Sequence, residues 1–252
     1  MRRWALTVIC SLAGLVQARA ESPWIDEATI APFVFRSEFP LRDVDGLVQE
    51  LGELQADLHE TLGLDFRDRP VEIHLFSGKW SYQKYVSSRS PGGEKRQALY
   101  LPGQDAGRVY AYRHRDLETD VRHEATHALL RNSLPYVPLW LDEGLAEYFE
   151  VPRGARLNDN PHRKSLQWAI RFGWKPRLEA LEAKREMLDM GGKDYRDAWG
   201  WVHFLLHGPP EAREEMAAYF AEIDSGRAPV PLSERLKRRL PDLERRVIQH
   251  LK

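Results

Sequence analysis

Apolar residues in this chain recur at two different periods, and the switch between them restricts the fold more than any other feature. Ahead of Asp116 the apolar segments alternate or run short, as strands do: "FVFRSEF" (Phe33 to Phe39), "VEIHLF" (Val71 to Phe76), Leu99 to Leu101, and "RVYAY" (Arg108 to Tyr112). A helical pattern from Val44 to Leu64, a short one near Trp80 to Val86, and the turn-rich "SPGGEKRQ" lie among them. From Asp116 onward the period is that of helices: Asp116 to Asn132, Pro138 to Glu150, Asn160 to Phe172, Leu178 to Leu188, Asp194 to His207, Pro210 to Ile223, and two short pieces after Pro231. Strands early and helices late predict an α+β fold, with a small, mainly antiparallel N-terminal sheet and its helix followed by a mostly helical part. A chain of 252 residues with 42% hydrophobic and 30% charged content suits one globular domain. That domain is expected over 21–252, with residues 31–115 as its sheet-containing half and 116–252 as its helical half.

The first twenty residues read as a secretory signal peptide. Arg2 and Arg3 precede an apolar run from Trp4 to Val16, and Ala18-Arg19-Ala20 has the small-x-small form of a cleavage site. The run is shorter than the ~20 apolar residues of a membrane span, so no span is expected after cleavage and the protein is expected to be secreted or periplasmic. The single cysteine, Cys10, falls inside this segment, which leaves the mature chain without a disulfide or a thiolate. Net charge is −1 and becomes slightly more acidic once Arg2, Arg3 and Arg19 are removed, so no basic excess points to nucleic acid.

Chemistry is concentrated in two helical segments. "VRHEATHALL" places His123 and His127 at i and i+4 with Glu124 beside the first, so both imidazoles leave one face of a helix. Two imidazoles so placed can reach one zinc ion at about 2.0–2.1 Å, with Glu124 over a bound water. The spacing alone is equally satisfied by a helix that carries polar residues for other reasons. Further on, "PLWLDEGLAEYFE" carries Glu143 and Glu147, again at i and i+4, on a helix that Trp140, Leu141, Leu145, Tyr148 and Phe149 make apolar almost all round. Carboxylates in such a helix are expected to be buried and to need a cation or donors. Gly144, which costs about 1 kcal/mol in a helix relative to alanine, suggests close approach of this helix to the histidine helix.

His-Glu-x-x-His followed by Trp-Leu-x-Glu-Gly-x-Ala-x-Tyr resembles the gluzincin zinc metallopeptidases, and most closely the peptidase-MA-like domains of bacterial secreted proteins. The resemblance spans roughly Phe33 to His207 and is strongest from Val121 to Glu150. It implies a zincin-like fold with the active-site helix between the two halves. It implies zinc held by His123, His127 and Glu143, Glu124 as general base, and Glu147 as a carboxylate behind the ligands that fixes a histidine tautomer. Tyr195, in "DYRDAWGWVHFLL", resembles the tyrosine that donates its hydroxyl to the tetrahedral intermediate in related aminopeptidases. The activity implied is hydrolysis of peptide bonds in a peptide or protein substrate, with Glu124 moving a proton from water to the leaving amine. In the gluzincin arrangement an edge strand beside the cleft pairs with the substrate backbone, and Arg108 to Tyr112 is the candidate.

The pattern also departs from the family. The stretch between His127 and Glu143 is shorter than in the aminopeptidase and thermolysin branches, and no Gly-x-Met-Glu-Asn segment supports recognition of a free amine. Leu130 and Ser133 stand where a metzincin has its glycine and third histidine. A zinc-holding interaction module without turnover and a zinc hydrolase of a non-protein amide are the alternative readings; retention of Glu124, which a structural site does not require, favours an enzyme. His74, His114, His162, His203, His207 and His250 read as structural or exposed, and the charge-alternating "SERLKRRLPDLERRVIQHLK" as a solvated helical surface.

Overall fold

The structure is a computed structural model that describes residues 24–252. The expected signal peptide over 1–20 lies outside the described residues. Five strands form one sheet: β1 (Asp26–Ile30), β2 (Phe33–Ser37), β3 (Val71–Phe76), β4 (Ala98–Leu101) and β5 (Gly107–Tyr112), in the order β1-β2-β3-β5-β4. Helix α1 (Asp45–Leu62) crosses between β2 and β3, and α2 (Lys79–Val86) follows β3. The remaining helices come after the sheet: α3 (Leu117–Ser133), α4 (Leu139–Phe149), α5 (Pro161–Arg171), α6 (Leu178–Glu182), α7 (Gly192–His207), α8 (Pro210–Asp224), α9 (Leu232–Arg239) and α10 (Leu243–Leu251). Among the described residues no helix is long and apolar enough to cross a membrane.

The architecture is the expected α+β arrangement, with differences that have physical causes. The sheet is mixed: β2, β3 and β5 run parallel at its centre, and only the outer strands β1 and β4 pair antiparallel. Crossovers through α1 and α2 make parallel pairing possible, and alternation in a strand does not reveal its direction. Strand β1, N-terminal to the expected start of the sheet at residue 31, has a polar, mostly exposed sequence suited to an edge. The helix expected from Leu178 to Leu188 ends at Glu182, because the Asp189 carboxylate accepts from the amides of Arg185 and Glu186 and draws the chain into a separate turn.

Strand β5 is not the sheet edge. It is enclosed between β3 and β4, so the expectation that Arg108 to Tyr112 adds a substrate strand is corrected, and β4 is the free edge on that side. The reason is long-range: β4 precedes β5 in sequence yet folds outside it.

One core unites both halves. Phe33, Phe35, Val71, Ile73 and Val109 on one face of the sheet meet Leu47, Leu51 and Leu58 of α1 and Val121, Ala125, Ala128 and Leu129 of α3. Helix α3 is therefore buried along most of its length, between the sheet and the later helices; α4 packs on its far side, and α7 packs on α4. The opposite sheet face carries a smaller aromatic cluster of Phe76, Tyr82, Tyr110 and Tyr112. Asp116 stands at the start of α3 as expected, but its side chain makes no capping bond.

Candidate functional site

The site forms where α3, α4, α7 and β4 meet. Helical spacing on α3 puts the rings of His123 and His127 4.8 Å apart, and α4 brings Glu143 beneath them. Glu143 Oε2 lies 3.5 Å from His123 Nε2 and 3.8 Å from His127 Nε2. These separations are too long for good hydrogen bonds. They approach the ~3.4 Å that separates neighbouring ligand atoms around a tetrahedral zinc with bonds of about 2.0–2.1 Å. Glu143 and His127 are buried, and one donor atom from each of His123, His127 and Glu143 lies within 4.8 Å of the other two. The donor set of two imidazoles and one carboxylate fits zinc.

The outward nitrogens are held by carboxylates. Glu150, which caps α4, meets His123 Nδ1 at 3.0 Å, and Asp142 meets His127 Nδ1 at 3.0 Å. With Nδ1 engaged by a carboxylate, each ring faces Glu143 through Nε2, the orientation in which Nδ1–H donates outward and Nε2 can bind a metal. Burial acts to lower the pKa of His123, but Glu143 and Glu150 raise it well above its ordinary value; His127 is raised against the same burial by Asp142. The field at the two rings favours a cation.

Glu147, expected to fix a ligand histidine, is bound elsewhere. Its Oε2 lies 2.6 Å from His162 Nε2, at the start of α5, and Glu150 takes the place beside His123. Burial acts to raise the pKa of Glu147, but His162 and His123 hold it below the ordinary carboxylate value. Helical spacing put both Glu147 and Glu150 on the site-facing side of α4; which imidazole each meets depends on the packing of α5, which sequence spacing does not encode. Asp142 was missed because it adjoins Glu143 and so points about 100° away around the helix, to the other side of His127.

Gly144 serves a different approach from the one expected. A Cβ there would come within 2.8 Å of the Ala198 carbonyl and the Val202 side chain, so the glycine admits α7, not α3. The contact draws α7 against α4 and places Tyr195, near the start of α7, on the wall of the same cavity as the histidines. Burial raises the pKa of Tyr195, and Glu143 adds to the effect.

The cavity has a volume of about 720 Å³. Glu124 lines it with the two histidines, Glu143 and Tyr195, and its Oε2 accepts a 2.8 Å hydrogen bond from the amide of Tyr100 on β4. Since the Tyr100 amide points away from β5, alternation along the strand points that of Ala98 the same way, toward the cleft. Three other histidines pack away from the cavity: His203 meets the Leu157 carbonyl and His250, and His207 meets the Tyr148 hydroxyl.

A sheet with a free edge strand over a helix bearing paired histidines, closed by helices that bring a carboxylate, is a zincin-like peptidase fold. Comparison with solved structures agrees. The M1 zinc metallopeptidase of Deinococcus radiodurans is 16% identical with a TM-score of 0.51 over 90% of this chain. A point mutant of that enzyme gives the same identity and TM-score over 91%. A two-domain M1 zinc metallopeptidase mutant bound to L-arginine is 18% identical with a TM-score of 0.50 over 87%. The chain spans about half the length of these proteins, covering 50%, 51% and 46% of them respectively. No family model matches the sequence, and no curated protein matches it.

Proposed function

We propose that this chain is an exported zinc-dependent peptidase of the gluzincin type that hydrolyses peptide bonds in peptide or protein substrates. The observation that carries the reading is the convergence of His123 Nε2 and His127 Nε2 on Glu143 Oε2 in the cleft that Glu124 also lines. The leader-like first twenty residues support export.

In this reading His123, His127 and Glu143 hold zinc, while Asp142 and Glu150 orient the imidazoles. Zinc bound there supplies Lewis acidity, which acidifies water and polarises a carbonyl. Glu124 takes the proton of the attacking water and passes it to the departing amine. The Tyr100 amide fixes one oxygen of that carboxylate and leaves the other for the proton. Tyr195 stays protonated at neutral pH and donates its hydroxyl to the oxygen that gains charge as water adds. The free edge of β4 receives the substrate backbone by strand addition, the role first expected of β5.

The test is metal content and cleavage measured together on the purified protein. Wild type supplied with zinc is expected to retain it through dialysis and to cut a denatured protein substrate. Glu124→Gln is expected to keep zinc and lose about 10²–10⁴-fold in turnover, and Glu143→Ala to lose the metal. No zinc above trace sinks the reading at its root. Zinc without cleavage of any peptide turns it into an interaction module or a hydrolase of another amide.

A further inference from the structure

Between Asp159 and Glu179 the chain carries Arg163, Lys164, Arg171, Lys175 and Arg177 and no acidic residue, although its net charge is −1. Among the described residues none of these five cations forms a salt bridge. Most of the segment is α5, whose inner face is fixed by fully buried Leu166, packed so closely on α7 that a Cβ at Gly200 would lie 2.6 Å from it. The outer face is unusual. Lys164, Trp168, Arg171 and Phe172 follow one another at i, i+4, i+7 and i+8, and all four are exposed, Trp168 by 61% and Phe172 by 80%. The two rings lie parallel with centroids 6.2 Å apart, and the Arg171 guanidinium sits 5.3 Å from the centre of Trp168. Beside this stripe is a cavity of about 660 Å³ with apolar walls from Ile170, Trp174 and Ile248, charge from Arg171 and Lys175, and no acidic side chain in its lining.

We propose that this face docks on the surface of an anionic phospholipid bilayer. Aromatic rings interleaved with cations along one helical face match a headgroup layer, where rings rest at the interface and cations meet phosphates. The adjoining cavity offers apolar walls to an acyl chain and cations to its headgroup. A single-stranded nucleic acid stacks its bases on open ring faces, whereas here Arg171 lies over Trp168 and Phe172 lies parallel to it. Docking would also orient the catalytic cleft, since Asn160, which caps α5, donates to the Glu147 carbonyl at 2.9 Å and His162 meets the Glu147 carboxylate. The inference does not rest on zinc or on catalysis.

The experiment is sedimentation of the protein with vesicles of phosphatidylcholine alone and of phosphatidylcholine mixed with phosphatidylglycerol. Wild type is expected to bind the mixed vesicles and not the neutral ones. Arg171→Glu with Lys175→Glu should weaken binding at least tenfold, on the basis of roughly fivefold per cation removed. Trp168→Ser with Phe172→Ser should also weaken it at least tenfold. All these side chains are exposed, and circular dichroism verifies the fold. The control is Trp80→Ser with Lys84→Glu on α2, where an exposed tryptophan again carries a cation over its ring; it should bind like wild type. Absence of binding to the mixed vesicles, or binding that the α5 variants do not weaken, overturns the proposal. So does loss with the charge variant but not the aromatic one, or tighter binding to a single-stranded oligonucleotide that displaces the vesicles.

Discussion

Glu150 and Asp142 each hold the distal nitrogen of one imidazole, and their contribution is separable from that of the ligands. Losing a carboxylate behind a metal ligand typically costs about 10–100-fold in metal affinity, because the ring is freed to rotate and to change tautomer. Glu150→Ala is therefore expected to weaken zinc binding by that factor in a chelator competition, while Glu147→Ala, whose carboxylate is committed to His162, has a clearly smaller effect. Equal losses in the two variants would place Glu147 beside His123 after all. His123, Glu124 and His127 were legible in the sequence because they lie within five residues on one helix, where spacing alone fixes their relative directions. Glu150 was not, since its partner sits 27 residues away on another helix.

At the scale of elements, two helical glycines, Gly144 in the middle of α4 and Gly46 in the first turn of α1, should respond in opposite ways. Gly144→Ala gains about 1 kcal/mol of helix propensity, but its methyl meets the Ala198 carbonyl and Val202 at 2.8 Å, and overpacking of this kind costs about 1–3 kcal/mol. Its urea midpoint should fall. Gly46 on α1 has nothing within 4 Å of its Cβ position, so Gly46→Ala should raise the midpoint. Edge strand β4 allows a second test. Tyr100→Pro removes an amide that points away from β5, which an edge strand tolerates. The variant is expected to keep its zinc while KM for a peptide rises and turnover falls; unchanged kinetics would exclude β4 as the strand that receives substrate. Strand and helix periods revealed nearly all the elements in advance, but strand order lay beyond them. Periodicity records which face of a strand is buried, not which neighbour lies at its edge.

Over the whole molecule, acid stability should be set in part by two histidines far from the cleft. Burial lowers the pKa of His74 to about 4 against the attraction of Glu72, and lowers that of His203 to about 4 with repulsion from His250 and His207 added. The unfolded chain protonates these groups near 6.5, so between pH 6.5 and 4 it binds more protons than the native state does. Native stability is therefore full above pH 6.5, falls as the pH drops through that window, and loses about 2–3 kcal/mol per group by pH 4. Urea midpoints between pH 7 and pH 4.5 should show the decline, and His74→Gln with His203→Gln should flatten it. A slope that the double variant leaves unchanged would assign the loss to other groups.

The sequence by itself determined the α+β class, the extent of most helices and the pairing of His123 with His127, because each depends on neighbours within a few residues of the chain. Only the tertiary structure decided that the central strands run parallel, that β4 rather than β5 bounds the cleft, that Gly144 admits α7, and that Glu150 and Asp142 steady the imidazoles. Those outcomes depend on contacts between residues far apart in the chain, where many partners are compatible with one local pattern and packing of the shared core selects among them.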